Sequence, residues 1–239
     1  MFATLAKCNT LAMDKDHQCR LLALPAELRI QIYTLLLSPP HLALIQRASY
    51  GGYCSDYVLP PLSLTPSLLS TCRQINAEAT PILYGQNVFA AHQSLLTDLP
   101  YLVTNSRPVV AGRVRELIKR WYVNVRLDID PRYTAEKVQS AFSGVESLCI
   151  DVFQAMFGSC DFAVLRLFEG VRGVGQCRVQ GSVGDGRYAR WLEKVMCKGI
   201  GEAVEDFIET RTDLEEAAEP LSPQSTQVRS IGDPWFGDR

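Results

Sequence analysis

The sequence has few of the residues that usually carry catalysis. Three histidines stand among 239 residues, and none belongs to a nucleophile–base pattern or to a spaced set of metal ligands. The sequence contains no G-x-S-x-G elbow, no H-E-x-x-H helix and no Walker lysine. We therefore predict a protein that is not an enzyme, with no catalytic residue, no metal site and no cofactor.

Long apolar runs and clusters of basic residues are also missing. No apolar stretch approaches the ~20 residues that a membrane-spanning helix needs. The formal net charge is −2, whereas a nucleic-acid surface needs clustered Lys and Arg to neutralise phosphates. The densest basic stretch, 113–126, alternates with apolar residues, which indicates one face of a strand. We expect neither a membrane nor a nucleic acid as a partner.

The eight cysteines are scattered along the chain without a C-x-x-C pair. Without such a pair or a secretory signal, reduced thiols in the cytoplasm or nucleus are the default expectation. Cys72, Cys149 and Cys177 stand at apolar positions, where a free cysteine behaves as a small hydrophobe. We expect all eight to be free thiols and these three to be shielded by packing.

Two N-terminal stretches have strong helix patterns. Pro25 begins the first helix, and Ser38-Pro39-Pro40 ends it. One stripe of this helix is apolar and comprises Leu24, Leu28, Ile32, Tyr33 and Leu36. In the second stretch, Thr65-Pro66 begins a helix from Leu68 to Ala79. Thr80-Pro81 then begins a short helix at 82–84 that Gly85 ends, and an extended segment starts at Asn87.

These two stretches, within residues 22–89, resemble the F-box-like region of a large group of mostly uncharacterised fungal proteins. The shared patterns are LP-x-E-L-R-x-x-I-Y and L-L-x-x-C-R-x-I-x-x-E-A-x-P-x-L-Y-x-x-N-x-F. The resemblance implies docking on a Skp-type adaptor of a cullin ubiquitin ligase through Leu24, Pro25, Glu27, Leu28 and Ile32. It also implies a set of motif residues that form the core: Leu69, Cys72, Ile75, Glu78, Leu83, Tyr84, Asn87 and Phe89.

Residues 38–64 separate the two stretches, whereas an ordinary F-box is a compact run of three helices. Apolar segments flank Gly51-Gly52, a dipeptide suited to a tight turn, so we predict an inserted β-hairpin. Such a hairpin either leaves adaptor docking intact or blocks it.

The second half of the chain alternates strand and helix patterns. Strands are predicted around 123–129, 145–152 and 174–179, with helices that begin at Thr134, Asp161 and Arg187. Three segments share an apolar pattern at positions i, i+3 and i+5: Tyr122, Val125 and Leu127; Val145, Leu148 and Ile150; Val174, Cys177 and Val179. This spacing is typical of a degenerate β-α repeat array, and an ordinary α/β layer domain remains the alternative. The glycine cluster Gly181–Gly186 has the wrong order for a phosphate-binding loop, so we interpret it as a turn.

The predicted organisation has four parts in an α+β or α/β fold. A flexible arm (1–20) precedes an F-box-like helical region with the inserted hairpin (21–100), in which 92–101 is a helix or loop. A repeat-like β-α domain (111–218) follows, and then a disordered, dispensable tail (219–239). The resemblance implies that the chain is a protein–protein interaction module, a substrate adaptor of an SCF-type ubiquitin ligase with an unknown protein substrate. The alternative is a stand-alone scaffold that has lost adaptor binding.

Overall fold

The computed structural model describes residues 19–39, 42, 64–154 and 162–207, and shows a mixed α+β protein. The inserted hairpin, the tail and Asp161 lie outside the described residues, as does nearly all of the N-terminal arm. The described elements, in chain order, are α1 (Ala26–Leu37), a 3-10 helix (Pro66–Ser70), α2 (Arg73–Gln86), β1 (Val88–His92), β2 (Leu96–Tyr101), α3 (Gly112–Arg115), β3 (Arg120–Arg126), α4 (Ala135–Phe142), β4 (Ser147–Phe153), α5 (Ala163–Arg166), β5 (Gln176–Gly181) and α6 (Arg187–Cys197).

The five strands form one sheet in the order β2-β1-β3-β4-β5. Strands β1, β3, β4 and β5 are mutually parallel, and β2 pairs antiparallel with β1 at one edge. The prediction of a helix or loop for segment 92–101 is therefore wrong, because the segment contains the end of β1 and all of β2. Leu96, the first residue of β2, shows the reason: its side chain is fully buried in the core under the sheet although its φ is +50°, so packing and not local preference places this segment.

The main core lies on one face of the sheet. Alternate residues of β3 and β4 point into it, and α4, α5 and α6 supply its other side with Phe142, Leu165 and Leu192. At its centre the Phe142 ring makes an edge contact with Trp121 and stacks on Phe168. The opposite face carries a small separate cluster of Ala90, Tyr122 and Cys149.

The hydrogen-bond register corrects the alignment of the predicted repeat. Tyr122 pairs with Cys149, whereas Trp121 pairs with Leu148 and Val123 with Ile150. The first unit of the pattern is therefore Ile118, Trp121 and Val123, all of which are buried. Strand β3 has apolar side chains on both faces, because Tyr122 belongs to the cluster on the face opposite to the main core. The i, i+3, i+5 pattern therefore fits the sequence around β3 in two registers, one that starts at Ile118 and one that starts at Tyr122.

The helix break predicted in the second N-terminal stretch lies elsewhere. The chain breaks at Thr71-Cys72, because Cys72 is extended and its Sγ accepts the N–H of Ile75 as the cap of α2. Helix α2 then continues through Pro81, although an interior proline costs roughly 3 kcal/mol. Pro81 lies on the exposed side, while Ile82 and Leu83 are buried, so packing of the second half holds the helix together. Gly85 lies inside the helix and does not end it.

Other local predictions are confirmed. Thr134 caps α4 by accepting the N–H of Lys137, and α6 has the predicted bounds. The glycine cluster is a turn, since Gly181, Gly184 and Gly186 all have positive φ. A side chain at Gly181 would also place its Cβ against the Val152 carbonyl, so the close approach of β4 and β5 requires glycine there.

Candidate protein-docking surface on the first helix

A polar cluster fixes α1 against α2. The Arg29 guanidinium donates to both carboxylate oxygens of Glu78, from Nε to Oε2 at 2.9 Å and from Nη2 to Oε1 at 2.7 Å. The Tyr33 hydroxyl lies 3.2 Å from Oε2, and Arg29 Nη1 donates to the Leu24 carbonyl at 2.5 Å. Such two-pronged Arg–carboxylate contacts restrict the geometry more than a single bond does. The cluster therefore sets the position and the rotation of α1 on α2.

The charges of this cluster change the acidity of its members. The hydrogen bond from Arg29 lowers the pKa of Glu78 from 4.5 to about 2, and further hydrogen bonds from Gln74 and Tyr33 add to the effect. Burial raises the pKa of Tyr33, and its contact with Glu78 raises it further. The lowered pKa of Glu78 favours its ionised form, which maintains the ion pair with Arg29.

Asn87 ties the end of α1 to the end of α2. Its side chain is buried, and its Nδ2 donates to the carbonyls of Leu37 at 2.9 Å and Leu83 at 2.8 Å. Both acceptors are carbonyls near helix ends, which helical hydrogen bonds leave without donors. The Asn87 amide thus supplies a donor to a terminal carbonyl of each helix, at the point where the chain enters β1.

The buried stripe of α1 differs from the predicted one. Tyr33 and Leu37 are fully buried against α2, and Leu36 packs beside them. Leu28 and Ile32, predicted on the same stripe, lie on another side of the helix together with Leu35. Leu28 and Leu35 are 45% and 66% exposed, and Ile32 is partly exposed. Ile32 is therefore not one of the buried residues of α1, and the single apolar stripe predicted for this helix is wrong.

Leu28, Ile32 and Leu35 form what we call the outer stripe of α1. Their spacing of four and three residues places them on one face of a helix. A helix that is apolar on more than one face is usually covered on each of them. Eight of the twelve residues of α1, AELRIQIYTLLL, are apolar, more than one buried stripe needs. This excess was the sequence signal for a second surface.

The remaining residues implied by the family resemblance lie at three places. Leu24 is partly buried before the helix, and Pro25 and Glu27 are exposed at its first turn, next to Leu28. Leu69, Ile75 and Leu83 pack in the cluster between α1 and α2. Tyr84 touches this cluster and also stacks on Phe89, which is buried in the core under the sheet. The motif block therefore connects the helical pair to the sheet.

A second surface is the face of the sheet opposite to the main core. Here the Tyr122 hydroxyl lies 2.6 Å from Asp151 Oδ2, and burial together with Asp151 raises the pKa of Tyr122. The Arg126 guanidinium lies over the exposed Phe153 ring at 6.0 Å. Aromatic and arginine side chains are enriched at protein interfaces.

Across residues 19–39, 42, 64–154 and 162–207, no group of three or more His, Cys, Asp or Glu side chains could hold a metal ion. In the same ranges no helix combines the length and apolar character that crossing a membrane requires. No family model, curated protein or solved structure matches the sequence.

Proposed function

We propose that this chain is a protein–protein interaction module that works as a substrate adaptor of an SCF-type ubiquitin ligase. In this proposal the outer stripe of α1 binds a Skp-type adaptor, and the sheet half selects a protein substrate. Such a module acts in the cytoplasm or nucleus.

The observation that carries the proposal is the exposed outer stripe on a helix whose opposite side is already buried. Leu28 and Leu35 present large apolar side chains to solvent, and grouped exposed apolar residues indicate an interaction site. Pro25 and Glu27 are exposed beside Leu28, where the resemblance to fungal F-box-like proteins implies adaptor contacts. The Arg29–Glu78 pair holds the stripe in a fixed orientation, so little order has to be gained on binding.

The substrate-selecting part of the proposal concerns the parallel strands β1, β3, β4 and β5. We interpret them as a degenerate β-α repeat array, supported by their pairing in chain order and by the aligned apolar residues of β3, β4 and β5. Helices cover one face of such arrays, while the other face forms an extended binding surface. Arg126 and Phe153 stand on that other face and are the residues proposed to contact a protein substrate, whereas Tyr122 is buried in the small cluster beside them.

The docking proposal is tested by co-purification with a Skp-type adaptor, using two matched variants of α1. Leu28 and Ile30 are both 45% exposed, but about 160° separates them around the helix at 3.6 residues per turn. We expect Leu28→Asp to abolish capture of the adaptor and Ile30→Asp to retain it. Both variants should unfold within a few degrees of the wild type, because each charge stays in water.

Three results would contradict the proposal. If the wild type never captures the adaptor, the stand-alone scaffold replaces it. If both variants lose capture while remaining folded, the outer stripe is not the specific surface. If Leu28→Asp unfolds the protein as strongly as a Tyr33→Asp change in the buried stripe, Leu28 is ordinary core.

A further inference from the structure

The outward edge of β5 is the place where a further strand would join the sheet. Among the described strands, β5 is the last in the sheet, and its paired edge faces β4. The N–H groups of Gln176 and Ser182 donate to carbonyls of Glu146 and Val152, which shows that even-numbered residues face β4. Because backbone groups alternate along a strand, the N–H groups of Cys177 and Val179 point outward.

One side chain of α6 occupies this outward edge. The Val179 N–H donates to Glu193 Oε1 at 2.7 Å. Cys197 is four residues further along and so lies on the same face of α6 as Glu193.

The backbone next to β5 holds α6 in the position that this capping needs. The N–H groups of Gly173 and Val174 donate to the carbonyls of Lys198 and Met196 at 2.7 and 3.0 Å. The end of α6 is therefore attached to the start of β5, and the helix runs back along the strand. Leu192 and Met196 are fully buried on the core side of α6. Moving the backbone of Glu193 away from β5 would therefore require the helix to leave the core.

An uncapped edge of this kind pairs readily with other strands. Unpaired N–H and C=O groups at a sheet edge form a template for another chain, and natural sheets block them in several ways. The other edge strand, β2, contains Pro100 and pairs irregularly with β1, and proline is one such block. β5 has no proline, and the outward N–H of Val179 is instead occupied by Glu193 of α6.

We propose that Glu193 keeps the chain monomeric by capping the outward N–H of Val179 in β5. Without this cap, β5 pairs with β5 of a second copy. A second copy is the fitting occupant because it presents the same edge, and two identical edges meet around a twofold axis as an antiparallel pair. This inference does not depend on the proposed adaptor binding.

The test compares three substitutions of Glu193 in the full chain. Glu193→Gln retains an acceptor oxygen of the same reach, whereas Glu193→Asp keeps the charge but is one methylene shorter. Glu193→Ala removes both properties, and Lys194→Ala on the exposed neighbour serves as the control. Sedimentation velocity over a range of concentrations measures association, and hydrogen exchange of the Val179 amide measures the cap.

We expect Glu193→Asp and Glu193→Ala to form dimers as concentration rises, while the wild type, Glu193→Gln and Lys194→Ala stay monomeric. At low concentration, Val179 should exchange roughly tenfold faster or more in the two associating variants. The proposal is overturned if Glu193→Asp and Glu193→Ala remain monomeric, or if Val179 exchange does not change. It is also overturned if Glu193→Gln associates and Glu193→Asp does not, because charge would then be the cause.

Discussion

The helical pair and the sheet differ in what holds them together. Among the described residues, the cluster between α1 and α2 has six buried apolar side chains, whereas the core under the sheet has twenty-four. The smaller cluster is accompanied by the Arg29–Glu78 pair, whose side chains are 10% and 24% exposed. The larger core has a run of aromatic contacts through Trp121, Phe142 and Phe168 at its centre.

This difference suggests a division of roles between apolar and polar contacts. Apolar burial stabilises in proportion to area and is not directional, so a large core can be stable without ion pairs. A cluster of six side chains specifies the rotation of one helix on another only weakly. The directional Arg29–Glu78 contact supplies this specification, and the outer stripe depends on it for its orientation.

The largest expected effect belongs to the core under the sheet. Phe142→Ala removes a fully buried ring that contacts Trp121 and Phe168. We expect it to lower the free energy of unfolding by about 3–5 kcal/mol, measured by urea denaturation. Val110→Ala, at a side chain that is 73% exposed, should change it by less than about 0.5 kcal/mol. A small effect of Phe142→Ala would show that the larger core does not depend on its aromatic centre.

A smaller effect is expected from the polar cluster, and it should depend on pH. The pKa of Glu78 is lowered from 4.5 to about 2, so folding favours the ionised carboxylate. Its contribution is therefore fully present above pH 4.5 and is lost as the pH falls from 4.5 towards 2. Thermal unfolding of the wild type and Glu78→Gln over this range measures it. The melting temperatures should converge at low pH, and a constant difference between them would contradict the assigned ion pair.

The smallest effect concerns thiol reactivity, which does not alter the fold. All five described cysteines are free: Cys19, Cys72, Cys149, Cys177 and Cys197. Cys19 is exposed and should react with a thiol reagent within the first phase. Cys197 is also exposed, but burial raises its pKa, so it should react more slowly than Cys19. Cys149 is buried, and burial raises the pKa of Cys177, so both should react slowly because the thiolate is the reactive form. Unfolded, non-reduced protein should titrate eight free thiols; a disulfide would contradict this expectation.

Part of the fold could be predicted because its determinants are local. Thr134 caps α4, and α6 begins and ends where its apolar spacing begins and ends. The outer stripe was predictable only in part. Leu28 and Ile32 were identified as docking residues from the resemblance, but the same pattern grouped them with Tyr33, which is buried. Neighbouring stripes on one helix cannot be separated by periodicity when both are apolar.

The sequence by itself determined features that depend on neighbours within one turn or one strand: the Thr134 cap of α4, the glycine turn at 181–186, and the presence of the strands β3, β4 and β5. Tertiary structure alone decided the strand β2, the continuation of α2 through Pro81, and the register that pairs Trp121 with Leu148. It also decided which side of α1 is buried and which N–H Glu193 caps. Arg29 and Glu78 are 49 positions apart. Such contacts depend on the free energy of packing distant segments together, which no local pattern specifies.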